Sequence, residues 1–576
     1  MQPDTDVLVV GAGPTGLTTA IELARRGIGV RMVDKVMPRP YAESRAEGLH
    51  AKSLEIFERQ GLLAPVLEQG RVLAGFAFRS GGRRLGELSA GGLDSPHAYA
   101  VLLPQSEIER IQIERLAELG VDVQRPVELV HMQQEGGAVR AHLLAGDGNH
   151  SEVTARYLVA ADGGHSVVRK SLGIPFSGHA LQGAYVMDAV ADFAAEPPPD
   201  RGTFILGRGG FLVVGHRPDG TYRIALSLPA HDQRISADRP TRDELQMLLD
   251  DFPEMEIRLR SISWSSAFFI SSRAVDRLRH GRVFLAGDAA HIHSPVGGQG
   301  MNTGIQDAVN LGWKLAIAIQ ARGGERLLDS YDAERLPIIR RLIASTTTST
   351  KPLLWHNPVA VAARNSLLRL VMRLPPLQTA LFDSFTGFSV RYRSGAFVAA
   401  KRHAMGSRGP LPGEIAPEAD RGGRRWYLLW GDDTRHQLLI FGDPSAARDR
   451  ALAWAQQHCE LVRPIVVAVQ SLADDPDVVL DPTGALRRRY AVTSSGALYL
   501  VRPDGYIAAR SSAVDDVGPL ATYVDAILSS TGVRWERATR RSPANGRTFT
   551  GRSNDSSGSP GRFANSATRR WRCRPT

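Results

Sequence analysis

The stretch RVFLAGDAAHIHSPVGGQGMN, residues Arg282–Asn302, holds a strand, a glycine loop and the start of a helix in one run. Val283, Phe284, Leu285 and Ala286 form a short apolar segment of the length of a buried strand, which Gly287 and Asp288 break. From Met301 the period changes. Ile305, Ala308, Val309, Gly312, Leu315, Ala316 and Ile319 recur at three- and four-residue steps, which predicts a helix. This order makes an anion site, because a helix N-terminus offers unpaired N–H groups and the positive end of its dipole. Asp288 at the end of the strand is a carboxylate that accepts hydrogen bonds, so a ligand hydroxyl suits it. A plain capped strand-to-helix turn would read the same way, and the rest of the chain decides between the two.

Residues 7–34 repeat the logic at the other end of the chain. An apolar strand (Val7 to Val10) leads into GAGPTG (Gly11 to Gly16), then a helix with Leu17, Ala20, Ile21 and Ala24 on one face, then a strand Val30 to Val33 that ends at Asp34. This is the βαβ dinucleotide fingerprint, with glycines for the tight turn, the approach of a pyrophosphate and helix packing, and an acid for a ribose hydroxyl. Residues 156–176, RYLVAADGGHSVVRKSLGIPF, give a third strand, Asp-Gly turn and helix, with Asp162 in the turn and Arg169 beyond it.

Between these units, Arg45 stands in a loop before a helix, placed to meet a phosphate or to lie solvated on the surface. Glu47 is either a surface acid or a buried base. Ser106 and Glu109 have capping-box spacing, and Gln105 sits just before that cap, where its amide could reach a ligand or solvent. From Gly183 to about Arg273 alternating strands predict a β-rich insertion that would roof a pocket over a cofactor. Phe204, Phe211, His216, Arg223, Trp264, Phe268 and Phe269 are its candidate pocket residues, with core packing as the alternative. Beyond the central helix, Pro337, Pro352, Pro358, Pro375 and Pro376 interrupt further helical segments, and Gly406 to Arg425 reads as a linker. The strands LLIFG (438–442) and YLVRPDGYIA (499–508) flank a helix and predict a small separate α/β domain.

Composition excludes several functions. The 576 residues, 43% hydrophobic and 23% charged, are those of a globular protein. The net charge of +10 suggests nucleic acid, but residues 534–576 carry 11 arginines, no lysine and two acids, which leaves about +1 for the remainder. That tail is expected to be disordered, and no nucleic-acid partner is expected. Cys459 and Cys573 lie far apart, which argues against a disulfide framework, a CxxC pair or a thiolate metal cluster, and no bound metal is expected. No basic leader precedes VLVV, and no apolar run approaches the ~18 residues of a membrane span. A cytoplasmic protein without a membrane partner is the expectation. Neither GxSxG nor HExxH occurs, so hydrolase chemistry has no support.

GAGPTG with Asp34, AADGGHSVVR (160–169) and AGDAAHIHSPVGGQGMN (286–302) together resemble the single-component FAD-dependent aromatic hydroxylases, the group A flavoprotein monooxygenases that include para-hydroxybenzoate, phenol and polyketide hydroxylases. The match spans about residues 5–400, and the C-terminal domain resembles the thioredoxin-like appendage of the phenol and polyketide hydroxylase branch, without its own redox pair. The resemblance implies an α/β fold: a Rossmann-like FAD-binding domain (1–180 and 275–345), an inserted β-sheet substrate domain (181–274, joined by strands near 70–103), a helical segment (346–405), the thioredoxin-like domain (406–533), which has a packing or dimerisation role, and the basic tail (534–576). It implies that Gly11, Gly13, Thr15 and Gly16 line the FAD pyrophosphate, that Asp34 holds the adenosine ribose where the family usually has glutamate, and that Arg45, Gln105, Asp162, Asp288, Gly300, Met301 and Asn302 complete the cofactor site. Backbone amides from Gly298 to Asn302 would stabilise the negative charge of reduced flavin. Pro295, Gly298 and Glu47 are the candidate catalytic residues: the Pro295 carbonyl near the carbon where oxygen adds, Glu47 as base for a phenol.

The implied activity is hydroxylation of a phenolic or polycyclic, polyketide-like aromatic through a flavin C4a-hydroperoxide, with O2 and NADPH or NADH as co-substrates, by a monomer or homodimer. An antibiotic-inactivating monooxygenase, or a flavoprotein oxidase without hydroxylase activity, is the alternative. No second dinucleotide fingerprint is present for the nicotinamide, as expected where it docks transiently.

Overall fold

The computed structural model describes residues 3–528 apart from 39–45, 208–209, 229–239, 295–296, 321–323, 393–408, 418–419, 422–423, 426–432, 444 and 470–477. Its first sheet grows from the strand Thr5–Val10, which pairs in parallel with Val30–Val33 on one side and His150–Ala160 on the other. The parallel run continues to Val123–Gln124 and to Val283–Leu285. Val7, Leu8 and Val9 are fully buried: the antiparallel strands Val127–Glu135 and Ala138–Ala145 bring Leu129, Val139 and Leu143 into the same core, and helices packed side by side cover the parallel strands. The helices α1 (Pro14–Ala24), α2 (Gln105–Glu118) and α3 (Gln299–Ile319) supply that cover. Where α3 crosses α1, a Cβ on Gly312 would stand 2.7 Å from the Glu22 Cβ, so only glycine permits the approach.

The second sheet has eight strands in the order His291–Ile292, Arg258–Ala274, Ser177–Asp192, Tyr222–Leu228, Phe211–His216, Arg201–Leu206, Gly75–Ser80 and Arg83–Ser89. Alternation separates its faces. Tyr185, Met187, Ala189, Tyr222, Ile224 and Leu226 form a core beneath the helix Arg242–Leu249. Asp188 and Arg223 point the opposite way, and Arg223 meets Glu47 there. The segment Arg282–Asn302 joins the two sheets: Val283–Leu285 pairs in the first and His291–Ile292 in the second, before the chain enters α3. That helix begins at Gln299, two residues earlier than the apolar period indicates.

The helical segment comprises α4 (Glu325–Leu353), α5 (Pro358–Arg373) and α6 (Pro375–Thr386). Pro337 and Pro352 do not interrupt it; both lie inside α4. Each costs about 3 kcal/mol in a helix interior, and burial of Leu327, Leu328, Tyr331, Leu336 and Ile339 at about 1.5–3 kcal/mol per side chain offsets that. Pro358 and Pro375 instead stand at helix starts, where the missing N–H costs nothing.

At the C-terminus five strands run in the order Val478–Leu480, Val462–Ala468, His436–Phe441, Ala497–Val501 and Ile507–Ser511, parallel among the first three and antiparallel among the last three, with the helices Ala446–Gln457 and Gly518–Leu528 alongside. This is the thioredoxin-like arrangement, but it is not separate: Trp313 and Ile317 of α3 and Leu327 of α4 share one core with Leu438, Leu498 and Val524. Of the expected linker 406–425, Ala416 is buried in this domain's other core. Residues 534–576 lie outside the described residues.

Candidate active site

The first glycine turn sits at the carboxyl end of the parallel strands. Gly11 has φ +101°, and a Cβ there would come within 2.3 Å of the Ala161 carbonyl oxygen. A Cβ on Gly16 would stand 1.9 Å from the Gly11 oxygen, so these two glycines are forced by backbone packing. Gly13 is different: it begins α1 without a side-chain cap, and the nearest atom to its Cβ position is Glu109 Oε1 at 3.9 Å. Its side is open to a ligand, facing N–H groups that no acidic residue in the first turn satisfies. Thr15 fills a notch in the third motif, where Cβ atoms on Gly287 and Gly304 would lie 2.6 and 2.2 Å from its Oγ1.

Asp34 follows its strand directly. Its Oδ2 accepts from the Ala12 N–H at 2.6 Å and its Oδ1 from the Val36 N–H at 2.8 Å, while Arg125 stands 3.5 Å away and donates to the Ala12 carbonyl at 3.0 Å. The acid therefore braces the glycine turn before any ribose arrives. Gln105 is the first residue of α2. The expected capping box is absent, since Pro104 precedes the helix and no side chain caps it. Glu109 Oε1 instead accepts from the Gln105 amide at 2.7 Å. The Gln105 N–H reaches the Ala46 carbonyl at 3.1 Å, beside Arg45, which lies outside the described residues.

In the middle motif, Asp162 Oδ2 accepts from the N–H groups of Val167 and Val168 at 2.8 and 3.3 Å. Burial pushes its carboxyl above the usual range, and its Oδ1 is buried with no hydrogen-bond partner among the described residues. Arg169 donates to the Gly164 carbonyl at 2.8 Å and to the Ala289 carbonyl at 2.9 Å, so it ties the middle motif to the third and is structural.

The third motif is held from beneath by residues that sequence reasoning missed. Asp307 on α3 accepts from the Gly287 N–H at 3.2 Å, from His291 Nε2 at 2.7 Å and from Arg335 Nε at 2.7 Å. Its signal was available, since an acid stands within the apolar stripe of Ile305 and Ala308. Beside it, burial pushes the His293 imidazole down to about 4, so that ring stays neutral. Asp288 is exposed, yet desolvation by the surrounding protein raises its carboxyl. Gly298, at φ +62°, starts α3 without a side-chain cap or a first-turn acid, and the Cβ position of Gly300 meets nothing within 4 Å. Met301 rests against the core. The Asn302 side chain is spent on structure: Oδ1 accepts from the His50 N–H at 2.9 Å, and Nδ2 donates to the Gly48 and Gly298 carbonyls at 2.8 Å each. Pro295 lies outside the described residues. Two uncapped helix starts, glycine-lined and converging on one set of strand ends with Asp34, Asp162 and Asp288 around them, fit FAD.

Glu47 is buried, not a surface acid. Its Oε1 lies 3.0 Å from Arg217 Nε and 2.8 Å from Arg223 Nη2, and both guanidiniums also engage Asp188, at 3.1 and 2.5 Å. Burial raises the Glu47 carboxyl to about 7 against the pull of Arg223 and Arg217, with Asp188 and Asp219 reinforcing the rise. The cluster joins the segment beside Gln105 to the open face of the second sheet, where the Trp264 ring lies 5.4 Å from the Arg223 guanidinium. Phe204 stacks on Phe78 at 5.0 Å on the same face. Phe211 is buried against Leu85 and Leu206. His216 belongs to the other face, against Tyr222 and bonded to the Pro197 carbonyl at 2.8 Å, so it is core and not pocket. The side chains of Phe268 and Phe269 lie outside the described residues.

Residues 4–346 match the family described as FAD binding domain. The chain is 34% identical over 526 residues to 6-methylpretetramide 4-monooxygenase of Streptomyces rimosus, covering 88% of this chain and 92% of that one. It is 31% identical over 541 residues to pentachlorophenol 4-monooxygenase of Sphingobium chlorophenolicum, covering 91% and 97%. Among solved structures, the anhydrotetracycline hydroxylase of Streptomyces rimosus superposes with a TM-score of 0.72 at 29% identity, covering 91% of this chain and 99% of that one.

Proposed function

This chain belongs to the FAD-binding-domain family of FAD-dependent aromatic monooxygenases, and from that premise we propose that it hydroxylates a polycyclic, polyketide-like phenol in the cytoplasm, using O2 and NADPH or NADH. In balance, the phenol, O2, the reduced nicotinamide and a proton give a dihydroxylated product, oxidised nicotinamide and water. The substrate class is suggested by relatives named for a pretetramide and a chlorophenol. The observation that carries the reading is the buried cluster of Glu47, Arg217, Arg223 and Asp188 between the cofactor cradle and the second sheet.

Bound FAD supplies the two-electron reduction and the activation of oxygen; the residues of the chain do the rest. Gly11, Gly13, Thr15 and Gly16 with Arg45 would hold the pyrophosphate, Asp34 would take a ribose hydroxyl, and Gln105, Asp162 and Asp288 would complete the cofactor contacts. The backbone amides from Gly298 through Gly300, Met301 and Asn302 would offer their hydrogen bonds where negative charge gathers, and Pro295 would contribute its carbonyl. Glu47 takes the phenol proton. A carboxyl near 7 is a far better acceptor at neutral pH than one near 4, and transfer to an electron-rich phenolate ring is easier than to the neutral phenol. Arg217 and Arg223 keep that carboxylate oriented and balance the new negative charge. We assign the cofactor domain to 1–180 and 275–345, the substrate domain to 181–274, the helical segment to 346–405 and the thioredoxin-like domain to 406–533.

The test is the rate at which NADPH or NADH bleaches the flavin without oxygen, across a panel of phenols and aromatic polyketides, followed by aerobic product and peroxide analysis. A compound that accelerates bleaching and is hydroxylated supports the reading. Glu47→Gln is expected to slow hydroxylation at neutral pH by on the order of 10²-fold, raise peroxide release, and lose the pH dependence centred near 7. Unchanged coupling in that variant removes Glu47 from the proton transfer.

A further inference from the structure

Among the described residues, six of the 13 large hydrophobic side chains that stand exposed fall in one short stretch of the helical segment: Trp355 40%, Val359 78%, Leu367 61%, Leu370 53%, Leu374 41% and Leu377 44%. They include every exposed leucine and the one exposed tryptophan of that set. At about 100° per residue, Val359, Leu367 and Leu370 share about 80° of the circumference of α5. The face is therefore continuous. It is also not the core face of that helix, because Leu368 and Met372 point the other way, into the clusters around Phe78, Leu88 and Phe211.

Along the sequence that carries this face, as far as Asp383 of α6, the charge has one sign. From Arg335 to Phe382 the chain contains no aspartate or glutamate and seven arginines and lysines. Two of the seven are buried, Arg335 against Asp307 at 2.7 Å and Arg364 on the carbonyls of Pro352 and Leu353 at 3.3 Å. Arg341, Lys351 and Arg373 are exposed and Arg369 half-buried, and none of these four forms an ion pair among the described residues.

We propose that this face docks on the surface of a membrane containing anionic lipid, with the leucines, Val359 and Trp355 in the boundary between headgroups and acyl chains and the four cations on lipid phosphates. The two ingredients are those of an interfacial helix: an exposed apolar stripe and a basic flank, with tryptophan at its edge. A second copy of the chain fits less well, because a two-fold contact sets the same patch against itself and would bring cations together with no acid to offset them. The expectation of no membrane partner rested on the lack of a spanning run, and among the described residues no helix is long and apolar enough to cross; surface docking needs none. The inner side of the same helices lies against the substrate sheet, where Phe382 of α6 is 6.4 Å from Phe76 and Phe76 is 5.5 Å from Phe204. Docking would thus hold the substrate side of the enzyme next to the phase in which apolar aromatics dissolve.

The test is flotation of the purified full-length holoenzyme with vesicles of phosphatidylcholine alone and of phosphatidylcholine with a third phosphatidylglycerol, at low and high salt, together with light scattering for the oligomeric state. Leu367→Glu/Leu370→Glu and Arg369→Gln/Arg373→Gln alter exposed or half-exposed side chains, and each variant is checked for flavin content and melting temperature. Wild-type protein should float with the anionic vesicles and lose this at high salt, and the leucine variant should bind on the order of a hundredfold more weakly. Both variants retain the arginine-rich tail, so unchanged flotation assigns binding to the tail and overturns the proposal. A dimer dissociated by the leucine variant, or no flotation by the wild type, overturns it as well.

Discussion

Replacing Arg502 with methionine asks whether the C-terminal domain is a passenger or part of the cofactor site. Arg502 is buried in the turn after the strand Ala497–Val501, and it donates to both Glu334 oxygens at 2.7 and 2.9 Å and to Asp504 Oδ1 at 2.9 Å. From the other side Lys314 of α3 donates to Glu334 Oε2 at 2.8 Å and to Asn310 Oδ1 at 2.8 Å. Burial opposes charge on Glu334, but Arg502 and Lys314 hold its carboxyl down at about 2. Without Arg502, two buried carboxylates share one ammonium and the Asn310 amide, which reaches Asp504 at 3.3 Å. Removing one side of a buried ion pair costs about 3–5 kcal/mol, a large part of a domain's usual ~5–15 kcal/mol.

The assay is urea unfolding of the holoenzyme, read by tryptophan fluorescence and by the fluorescence of released FAD. Arg502→Met should lower stability by about 3–5 kcal/mol, and FAD release should shift with it, because α3 carries both Lys314 and the amides from Gln299 to Asn302. The pH dependence follows from the lowered carboxyl. Glu334 contributes stability that is complete above its unfolded value of 4.5 and is lost as pH falls toward 2, so the gap between wild type and variant should close across that window. A loss under about 1 kcal/mol, or a C-terminal domain that melts while FAD stays bound, would refute the coupling.

Gly16→Ala should give folded protein without FAD, or insoluble protein, because its Cβ would meet the Gly11 carbonyl oxygen, which is backbone and cannot swing away; flavin content per chain reads this directly. Asn302→Ala should cost about 2–4 kcal/mol by leaving the His50 N–H and Gly48 carbonyl without partners and weaken FAD retention, measured by thermal melting with flavin release. Deleting residues 534–576 removes a net charge of +9 and should abolish any DNA retardation in a gel while leaving flavin content unchanged; retained DNA binding would place it on the near-neutral body.

The parts written locally in the chain could be read without coordinates. Gly11 and Gly16, the strand before them and Asp34 after them form a unit whose geometry depends on backbone constraints that only particular residues satisfy, and the same holds for Gly287 and Gly298. Binary patterning likewise separated the alternating sheet near 183–273 from the helical periods of α1 and α3. What needed the tertiary structure were pairings between distant residues, since spacing along a chain carries no information about which charge meets which. Glu47 meeting Arg217 and Arg223, Asp307 meeting His291 and Arg335, and Glu334 meeting Arg502 each bring together residues from separate elements. The same reason explains the errors. Pro337 and Pro352 obey a local rule that burial overrides, His216 and Arg223 are told apart only by which sheet face packs beneath a helix, and the C-terminal domain is separate in sequence but joined to α3 through a common core. Sequence alone thus determined the glycine turns at the strand ends, because their geometry is backbone geometry; the buried cluster of Glu47, Arg217, Arg223 and Asp188 and the bracing of α3 were decided by folding, because buried charges exist only where the fold brings them their partners.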